Sequence, residues 1–359
     1  MLRCFSALLC SAVLLTTLAV GAQSDVRLLV AGDVTLGGHY QEYVDEQIRK
    51  GHSAEDAVRH GFDKVRKVTR DADLFLVNLE CPFTERGEMV YKNFNFRARP
   101  ALIAALTSAG VDVVSLANNH MMDYGSDGLD DTVSTLDGEG IRHFGAGPSL
   151  TEARQPAIVE IRGVRVAFLG YLFLGEKHLE PYEIFATDDQ PGAAGHYGDV
   201  DALQSMIEDD IQSAKTQADH VIPFFHWGRE GRAAPEPYQI ALAHAAIDAG
   251  ASAVLGSHPH NLQGIEVYNG APIAYSLGNF VFGGNWNPPD KRTVLLELKL
   301  NKTEVTSTTV IPAYTDSFPK EPFQPYLVHG SGAAILRTYV AQLSAAFPET
   351  LASLRRGGH

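Results

Sequence analysis

Five mostly apolar runs of the sequence each end at residue types that commonly bind metal ions. The runs, with the residues that follow them, are 26–31 before Gly32 and Asp33, 74–77 before Asn78 to Glu80, 111–117 before Asn118 to His120, 221–225 before His226, and 253–255 before Gly256 to His260. A near-continuous apolar run is typical of a strand that is buried on both faces. Amphipathic helical stretches alternate with these runs over the first two thirds of the chain, and this alternation predicts an α/β fold.

The ends of these runs predict a site. In open α/β sheets the ligand lies beyond the carboxyl ends of the strands. The pattern therefore places the polar residues that follow the strands along one edge of the sheet. These candidate residues are Asp33, Glu80, Asn119, His120, His226, His258 and His260.

The chemistry of this set favours a transition metal. Imidazole nitrogens combined with carboxylate and amide oxygens suit Zn, Mn or Fe, whereas an all-oxygen set would indicate Mg or Ca. Hydrolytic sites with two metals hold the ions roughly 3.5–4 Å apart, and Glu80 is the candidate carboxylate to bridge them. His258 and His260 would point in opposite directions on an extended segment. On a turn that contains Pro259 they can address different ions.

Each residue alone has a simpler interpretation. Asp33 after a strand is the usual type of a helix N-cap, and Glu80 fits a solvated loop charge. Ser257 beside two histidines lacks the G-x-S-x-G sequence of a hydrolase serine. Cys81 could be a nucleophile, but an isolated thiol is more often a small core residue. The combination of residues, rather than any one of them, indicates a metal site.

The remaining pattern predicts the other elements. Helices are expected at 101–110, 129–138, 202–218, 240–250 and 333–346, and short strands at 265–268, 272–276, 292–300 and 305–312. The sequence has no Pro/Ser-rich linker, internal repeat or charge block. We therefore expect residues 23–359 to form a single domain with a C-terminal helical tail.

The net charge of the chain indicates which partners to expect, and the N-terminal residues indicate where the protein is located. The net charge is −14 and no run of five or more basic residues occurs, so nucleic acid is not expected as a partner. Residues 1–22 have the pattern of a signal peptide, with Arg3, an apolar stretch at 4–20 and small residues at the end. We expect export to the periplasm or the extracellular surface after cleavage, with an uncleaved anchor as the alternative.

The same segments resemble the CapA family of poly-γ-glutamate capsule biosynthesis proteins, which are related to the calcineurin-like metallophosphoesterases. The matching stretches are Ala31 to Val34, Asn78 to Glu80, Phe94 to Ala98, Ser115 to His120 with Asp123 and Gly125, His226 to Gly228, Gly256 to His260, and Tyr275 to Phe280. They occur in the family's order between about residues 27 and 283.

The resemblance implies a four-layer αββα sandwich with two divalent metal ions. Asp33 and His260 would hold one ion, and Asn119, His226 and His258 would hold the other. Glu80 would bridge the two ions, and His120 would be the general acid. Arg97 and Glu230 would contact an anionic polymer or a phosphoester substrate.

The sequence departs from the wider phosphoesterase pattern at two positions. Thr35 stands where those enzymes commonly have a histidine, and Glu80 stands where they use a bridging aspartate. One metal would then lack a ligand unless another residue, such as His39, supplies it. Three functions follow as hypotheses: a dinuclear hydrolase for a phosphoester or amide, a non-catalytic part of a membrane-bound capsule-synthesis complex, and a phosphatase for small periplasmic phosphoesters.

Overall fold

A computed structural model describes residues 25–175, 181–347 and 349, so the expected signal peptide at 1–22 lies outside the described residues. The strands are β1 Val26–Thr35, β2 Leu74–Leu79, β3 Val113–Ser115, β4 Arg142–Phe144, β5 Ala146–Gly147, β6 Ala157–Ile161, β7 Val164–Phe173, β8 Gly192–Ala193, β9 His220–Trp227, β10 Val254–Ser257, β11 Ile265–Tyr268, β12 Ala271–Ala274, β13 Asn279–Phe282, β14 Arg292–Leu300, β15 Val305–Tyr314 and β16 Tyr326–Leu327.

The helices lie between these strands and after them. They are α1 His39–Arg49, α2 Ala54–Arg59, α3 Arg66–Arg70, α4 Ile103–Ala109, α5 Gly125–Gly138, α6 Leu150–Ala153, α7 Val200–Ala214, α8 Pro237–Asp248 and α9 Gly330–Leu343. Short 3-10 helices occur at His60–Phe62, Pro100–Leu102 and Tyr182–Ile184. Within the described ranges no helix is long and apolar enough to cross a membrane.

Two large sheets form the centre of the fold. The first has the order β16-β15-β14-β1-β2-β3-β4, with β13 also paired to β1, and its strands β1 to β4 run parallel. The second has the order β11-β12-β10-β9-β7-β6, with β12, β10, β9 and β7 parallel to one another. A two-stranded sheet of β5 and β8 lies apart from them.

The buried side chains define four layers. Alternate residues of a strand point to opposite faces, so β1 directs Leu28 and Val30 one way and Leu29 the other. Leu28 and Val30 belong to a core shared with Phe168 and Ile222 of the second sheet. The outer face of the first sheet packs on α1, α4 and α5, and the outer face of the second packs on α7 and α8. The α/β class and the four-layer αββα arrangement are therefore confirmed.

All five apolar runs form strands, and the later strand predictions agree within a few residues. The helix predicted at 202–218 instead occupies Val200–Ala214. It begins early because the Asp199 side chain accepts a hydrogen bond from the backbone N–H of Ala202, which caps the first turn. It ends at Ala214, the last residue of its buried face.

Candidate metal centre

The predicted site residues come together, but from two sheets rather than one. Asp33 in β1 and Glu80 just after β2 come from the first sheet, whereas His226 in β9 comes from the second. The expectation of a single sheet edge is therefore wrong. An apolar run shows where a strand ends, but it does not show which sheet the strand joins.

Asp33, Glu80 and His260 form one group with metal-binding geometry. One ligand atom from each lies within 4.8 Å of the other two. His260 Nδ1 is 3.3 Å from Asp33 Oδ2, and His260 Nε2 is 4.0 Å from Glu80 Oε1. Two buried carboxylates that converge in this way favour a neighbouring cation.

A second group contains Glu80 again, together with His226 and His258. His226 Nε2 lies 3.6 Å from Glu80 Oε1 and 3.0 Å from His258 Nδ1. Asn119 Oδ1 lies 2.9 Å from the same His226 nitrogen, so it adds a fourth oxygen or nitrogen atom to this group. Glu80 is the member that the two groups share.

Glu80 is fully buried, and neither of its carboxylate oxygens accepts a hydrogen bond from the part of the chain that the structure describes. Burial, followed by the charge of Asp33, raises the pKa of Glu80 well above its ordinary value. A buried carboxylate without hydrogen bonds is costly unless a cation neutralises it. Glu80 belongs to both ligand groups, with Oε1 3.6 Å from His226 Nε2 and 4.0 Å from His260 Nε2, and this fits a bridging metal ligand.

The histidines of the site differ in charge. Burial lowers the pKa of His258 to about 3 and that of His226 well below its ordinary value, so both rings are neutral and can donate a lone pair to a metal. Burial also opposes the charged form of His260, but the charges of Glu80 and Asp33 outweigh it and raise the pKa of His260 to about 9. Although burial alone would raise it, the pKa of Asp33 is lowered by the hydrogen bond and charge of His260.

The backbone after β10 has an unusual conformation. His258 has φ of 96° and His260 has φ of 56°, both in the region that residues with a Cβ rarely adopt. The prediction that Pro259 lies in a turn rather than an extended segment is thus consistent with the backbone. The turn places the two rings in different ligand groups, and such local strain is typical of functional sites.

His120 lies beside this centre and is held by Asp123. His120 Nδ1 is 2.8 Å from Asp123 Oδ2, and its backbone N–H donates to Asn118 Oδ1. The Phe96 ring packs on the imidazole, with 4.4 Å between ring centroids. With Nδ1 facing Asp123, proton donation to a bound ligand falls to Nε2.

Sequence reasoning gave no role to several residues that support the ligands. Asn78 Nδ2 donates to Asp33 Oδ1 over 2.8 Å and lies 3.2 Å from His226 Nδ1, so it touches one ligand of each group. Ser257 Oγ lies 3.3 Å from His226 Nδ1, and Asn279 Oδ1 lies 2.9 Å from His260 Nδ1. The signal that could have pointed to such support is Asn78 itself, a polar residue that follows the apolar run 74–77 and still lies within β2.

The other predicted residues lie around the site. Arg97 is exposed, and its guanidinium stacks on Tyr124 at 4.3 Å from the ring centroid. Glu230 is also exposed, and its charge contributes to raising the pKa of both Glu80 and His260.

Thr35 and His39 supply no ligand to either group. The Thr35 hydroxyl donates to the backbone carbonyl of Glu80 over 3.3 Å and so fixes β1 against the bridging residue. His39 Nδ1 lies 2.8 Å from Glu42 Oε2 and is absent from both described ligand groups. Cys81 is a buried core residue, which favours the structural interpretation of its thiol.

The chain is similar to known bacterial proteins over most of its length. The sequence profile described as bacterial capsule synthesis protein PGA_cap matches residues 27–284. The chain is 33% identical over 291 residues to the capsule biosynthesis protein CapA of Bacillus anthracis, and the alignment covers 79% of this chain and 66% of that relative. It is 34% identical over 302 residues to the PGA biosynthesis protein CapA of Bacillus subtilis (strain 168), and this alignment covers 81% of this chain and 74% of that relative.

Among solved structures, a novel phosphatase from Mycoplasma pneumoniae aligns with 83% of this chain and 96% of its own chain. The sequence identity is 13% and the TM-score is 0.48.

Proposed function

The chain belongs to the PGA_cap family of bacterial capsule synthesis proteins, and on that premise we propose that it is a dinuclear metal-dependent hydrolase. Its reaction would cleave a phosphoester or an amide during the synthesis or export of a poly-γ-glutamate-type polymer. The family supplies the polymer context, and the chemistry of the site supports hydrolysis.

The observation that carries the proposal is the position of Glu80 in both ligand groups. Its two oxygens are buried and lack hydrogen bonds within the described residues. Glu80 belongs to both ligand groups, and its Oε1 lies 3.6 Å from His226 Nε2 and 4.0 Å from His260 Nε2. Bridging carboxylates of this kind are typical of two-metal hydrolytic sites. Two divalent ions of Mn, Fe or Zn would there polarise a phosphoryl or carbonyl oxygen and lower the pKa of water.

The protein's own residues would orient the reaction. His226 and His258, both neutral, would hold one ion together with Asn119, and Asp33 and His260 would hold the other. His120, oriented by Asp123, would donate a proton from Nε2 to the leaving group. Arg97 and Glu230 would meet the substrate, an anionic polymer or phosphoester, at the exposed side of the site.

The test is turnover together with metal content. Purified protein loaded with Mn or Zn should hydrolyse aryl phosphodiesters or γ-glutamyl amides, and His226→Ala/His258→Ala should remain folded but lose turnover. Turnover that is unchanged in the double variant would refute the hydrolase proposal. A screen of small phosphomonoesters would distinguish a general phosphatase from an enzyme of polymer synthesis.

A second candidate is a non-catalytic part of a membrane-bound capsule-synthesis complex. It is favoured by Thr35, whose hydroxyl contacts the Glu80 backbone instead of serving as a ligand, and by His39, which does not replace it in the described ligand groups. The group of Asp33, Glu80 and His260 then has only three protein ligands. This candidate predicts that the double histidine variant still supports polymer export in cells, and loss of export at normal protein levels would refute it.

Both candidates place the protein outside the cytoplasm. The support is the signal-peptide pattern of residues 1–22. Fractionation of cells, with N-terminal sequencing of the mature chain, would test cleavage after Ala22 and would distinguish it from a retained anchor.

A further inference from the structure

Lys92 has a buried ammonium group although its chain neighbours are exposed. Its side chain is 3% exposed, whereas Met89, Tyr91 and Phe94 in the same loop are 64%, 101% and 68% exposed. Removing an ammonium group from water costs several kcal/mol, which close and well-directed partners must offset. A lysine that only anchored a surface loop would not need such burial.

The ammonium contacts two residues of the segment that carries His120. Lys92 Nζ lies 2.7 Å from Asp123 Oδ1 and donates to the backbone carbonyl of Asn119 over 2.6 Å. Asn119 immediately precedes His120, and Asp123 is the partner of its ring. One cation therefore bridges the two ends of the turn on which His120 lies.

The two carboxylate oxygens of Asp123 have different partners. Oδ1 faces Lys92, while Oδ2 accepts the backbone N–H of Phe96 over 2.6 Å and lies 2.8 Å from His120 Nδ1. The ion pair at Oδ1 and the Phe96 N–H at Oδ2 together hold the carboxylate, and the carboxylate orients the imidazole through Nδ1. Second contacts of this type commonly orient catalytic histidines.

We propose that Lys92 is a positioning residue for His120, acting through Asp123 and the Asn119 carbonyl. It holds the imidazole with Nδ1 toward Asp123 and Nε2 toward the metal centre. The proposal rests on the proposed function for the role of His120 as the acid, but the positioning itself can be measured without turnover.

The first experiment observes the ring directly. In protein labelled with ¹⁵N-histidine and loaded with Zn²⁺, the His120 signals are identified from their loss in His120→Gln. Lys92→Met should shift or broaden these signals, because the ring loses its fixed tautomer. Lys92→Arg, which keeps the charge, should restore them at least in part, and Lys67→Met, an exposed lysine of α3, should leave them unchanged.

The second experiment uses the leaving group. General acids contribute about 10²–10⁴-fold to rate when the leaving group needs a proton and little when it does not. Lys92→Met should therefore lower kcat/KM at least about tenfold for a diester that releases phenol, and only about threefold or less for one that releases 4-nitrophenol. Metal content should stay at the wild-type value.

The outcomes are separable. Unchanged His120 signals in Lys92→Met would overturn the proposal, and so would equal losses on the two substrates, which would place Lys92 at the metals instead. If wild-type protein hydrolyses neither substrate, the hydrolase proposal fails and the histidine spectra alone decide the role of Lys92. If Lys92→Met does not fold, Lys92→Gln, which keeps N–H donors without the charge, takes its place in both experiments.

Discussion

His226 Nε2 lies 3.0 Å from His258 Nδ1, although the two residues are 32 positions apart. His226 lies in β9, and His258 directly follows the neighbouring strand β10. Their imidazole planes are inclined by 60°, with ring centroids 4.7 Å apart. Both rings are neutral because burial depresses their pKa values. Two neutral nitrogens at this distance, next to the unsatisfied carboxylate of Glu80, converge on the point that a cation would occupy.

Removing these two rings should empty that position. His226→Ala/His258→Ala should lose about one equivalent of transition metal per chain or more, because Glu80 and Asn119 alone provide too few ligands. Elemental mass spectrometry of the purified protein measures this. The matched control is His52→Ala/His329→Ala, which removes two exposed histidines outside the site. Equal metal content in the two double variants would contradict the assignment.

Glu80→Gln should separate metal binding from folding. Burial, followed by the charge of Asp33, raises the pKa of Glu80, so the metal-free protein bears a cost for the charged carboxylate that a neutral amide avoids. The amide should therefore lower the metal-free free energy of unfolding by no more than about 1 kcal/mol. Stabilisation by added metal, about 2.7 kcal/mol at a hundredfold excess over Kd, should disappear. Thermal unfolding with and without Zn or Mn tests both parts. Glu88→Gln, at an exposed position, should retain the full metal response.

Asn78→Ala should weaken metal binding without removing a ligand. Asn78 contacts Asp33 and His226, one member of each ligand group, so its loss should free both side chains to rotate. We expect an affinity lower by about 10–100-fold, measured by competition with a chelator. Asn287→Ala, on an exposed loop, is the control. An affinity equal to that of the control would show that Asn78 does not orient the ligands.

Cys81 should not react while the protein is folded. Burial raises the pKa of its thiol to about 12, and its sulfur accepts the backbone N–H of Leu36 over 3.3 Å. It is the only cysteine after residue 22, so labelling of the mature chain reports on it alone. A disulfide reagent at mildly alkaline pH should modify it only after denaturant is added. Rapid labelling of the native protein would revive the nucleophile hypothesis.

His60 should make stability fall in mild acid. Burial lowers its pKa below the ordinary 6.5, while a bond to the Pro322 carbonyl partly opposes this. The unfolded chain therefore takes up a proton at His60 at a higher pH than the folded chain. The contribution of His60 to stability is thus fully present above about pH 6.5 and is lost as the pH drops toward the lowered pKa.

Chemical unfolding from about pH 7.5 to about pH 5 measures this dependence. In His60→Gln the free energy of unfolding should depend less steeply on pH than in wild type, and the remaining dependence should come from other titratable groups. A slope identical to that of wild type would refute the assignment to His60.

Some supporting residues left little trace in the sequence. In the sequence, Lys92 resembles any surface lysine between exposed neighbours. Only the folded chain shows that its side chain is buried and paired with Asp123. Asn78 is visible as the polar residue that follows the apolar run 74–77, but its contact with His226 joins residues 148 positions apart. Residue type therefore identified the candidates, whereas their partners required the folded chain.

The sequence by itself determined nine of the strands, namely the five apolar runs and four later ones, together with the polar residues at the carboxyl ends of those runs. It did not reveal the ten-residue strand β7 in the second sheet. A strand that is buried on both faces must be apolar throughout, so its residues form a recognisable run. A buried polar residue at the end of such a run costs free energy unless a hydrogen bond, an opposite charge or a metal ion compensates it, so it stands out as a candidate. Only the tertiary structure divided those strands between two sheets and brought Asn119 Oδ1 within 2.9 Å of His226 Nε2. It also placed His258 in one ligand group and His260 in the other. These relations depend on sheet order and on backbone conformation after the strands, and neither leaves a local pattern in the sequence.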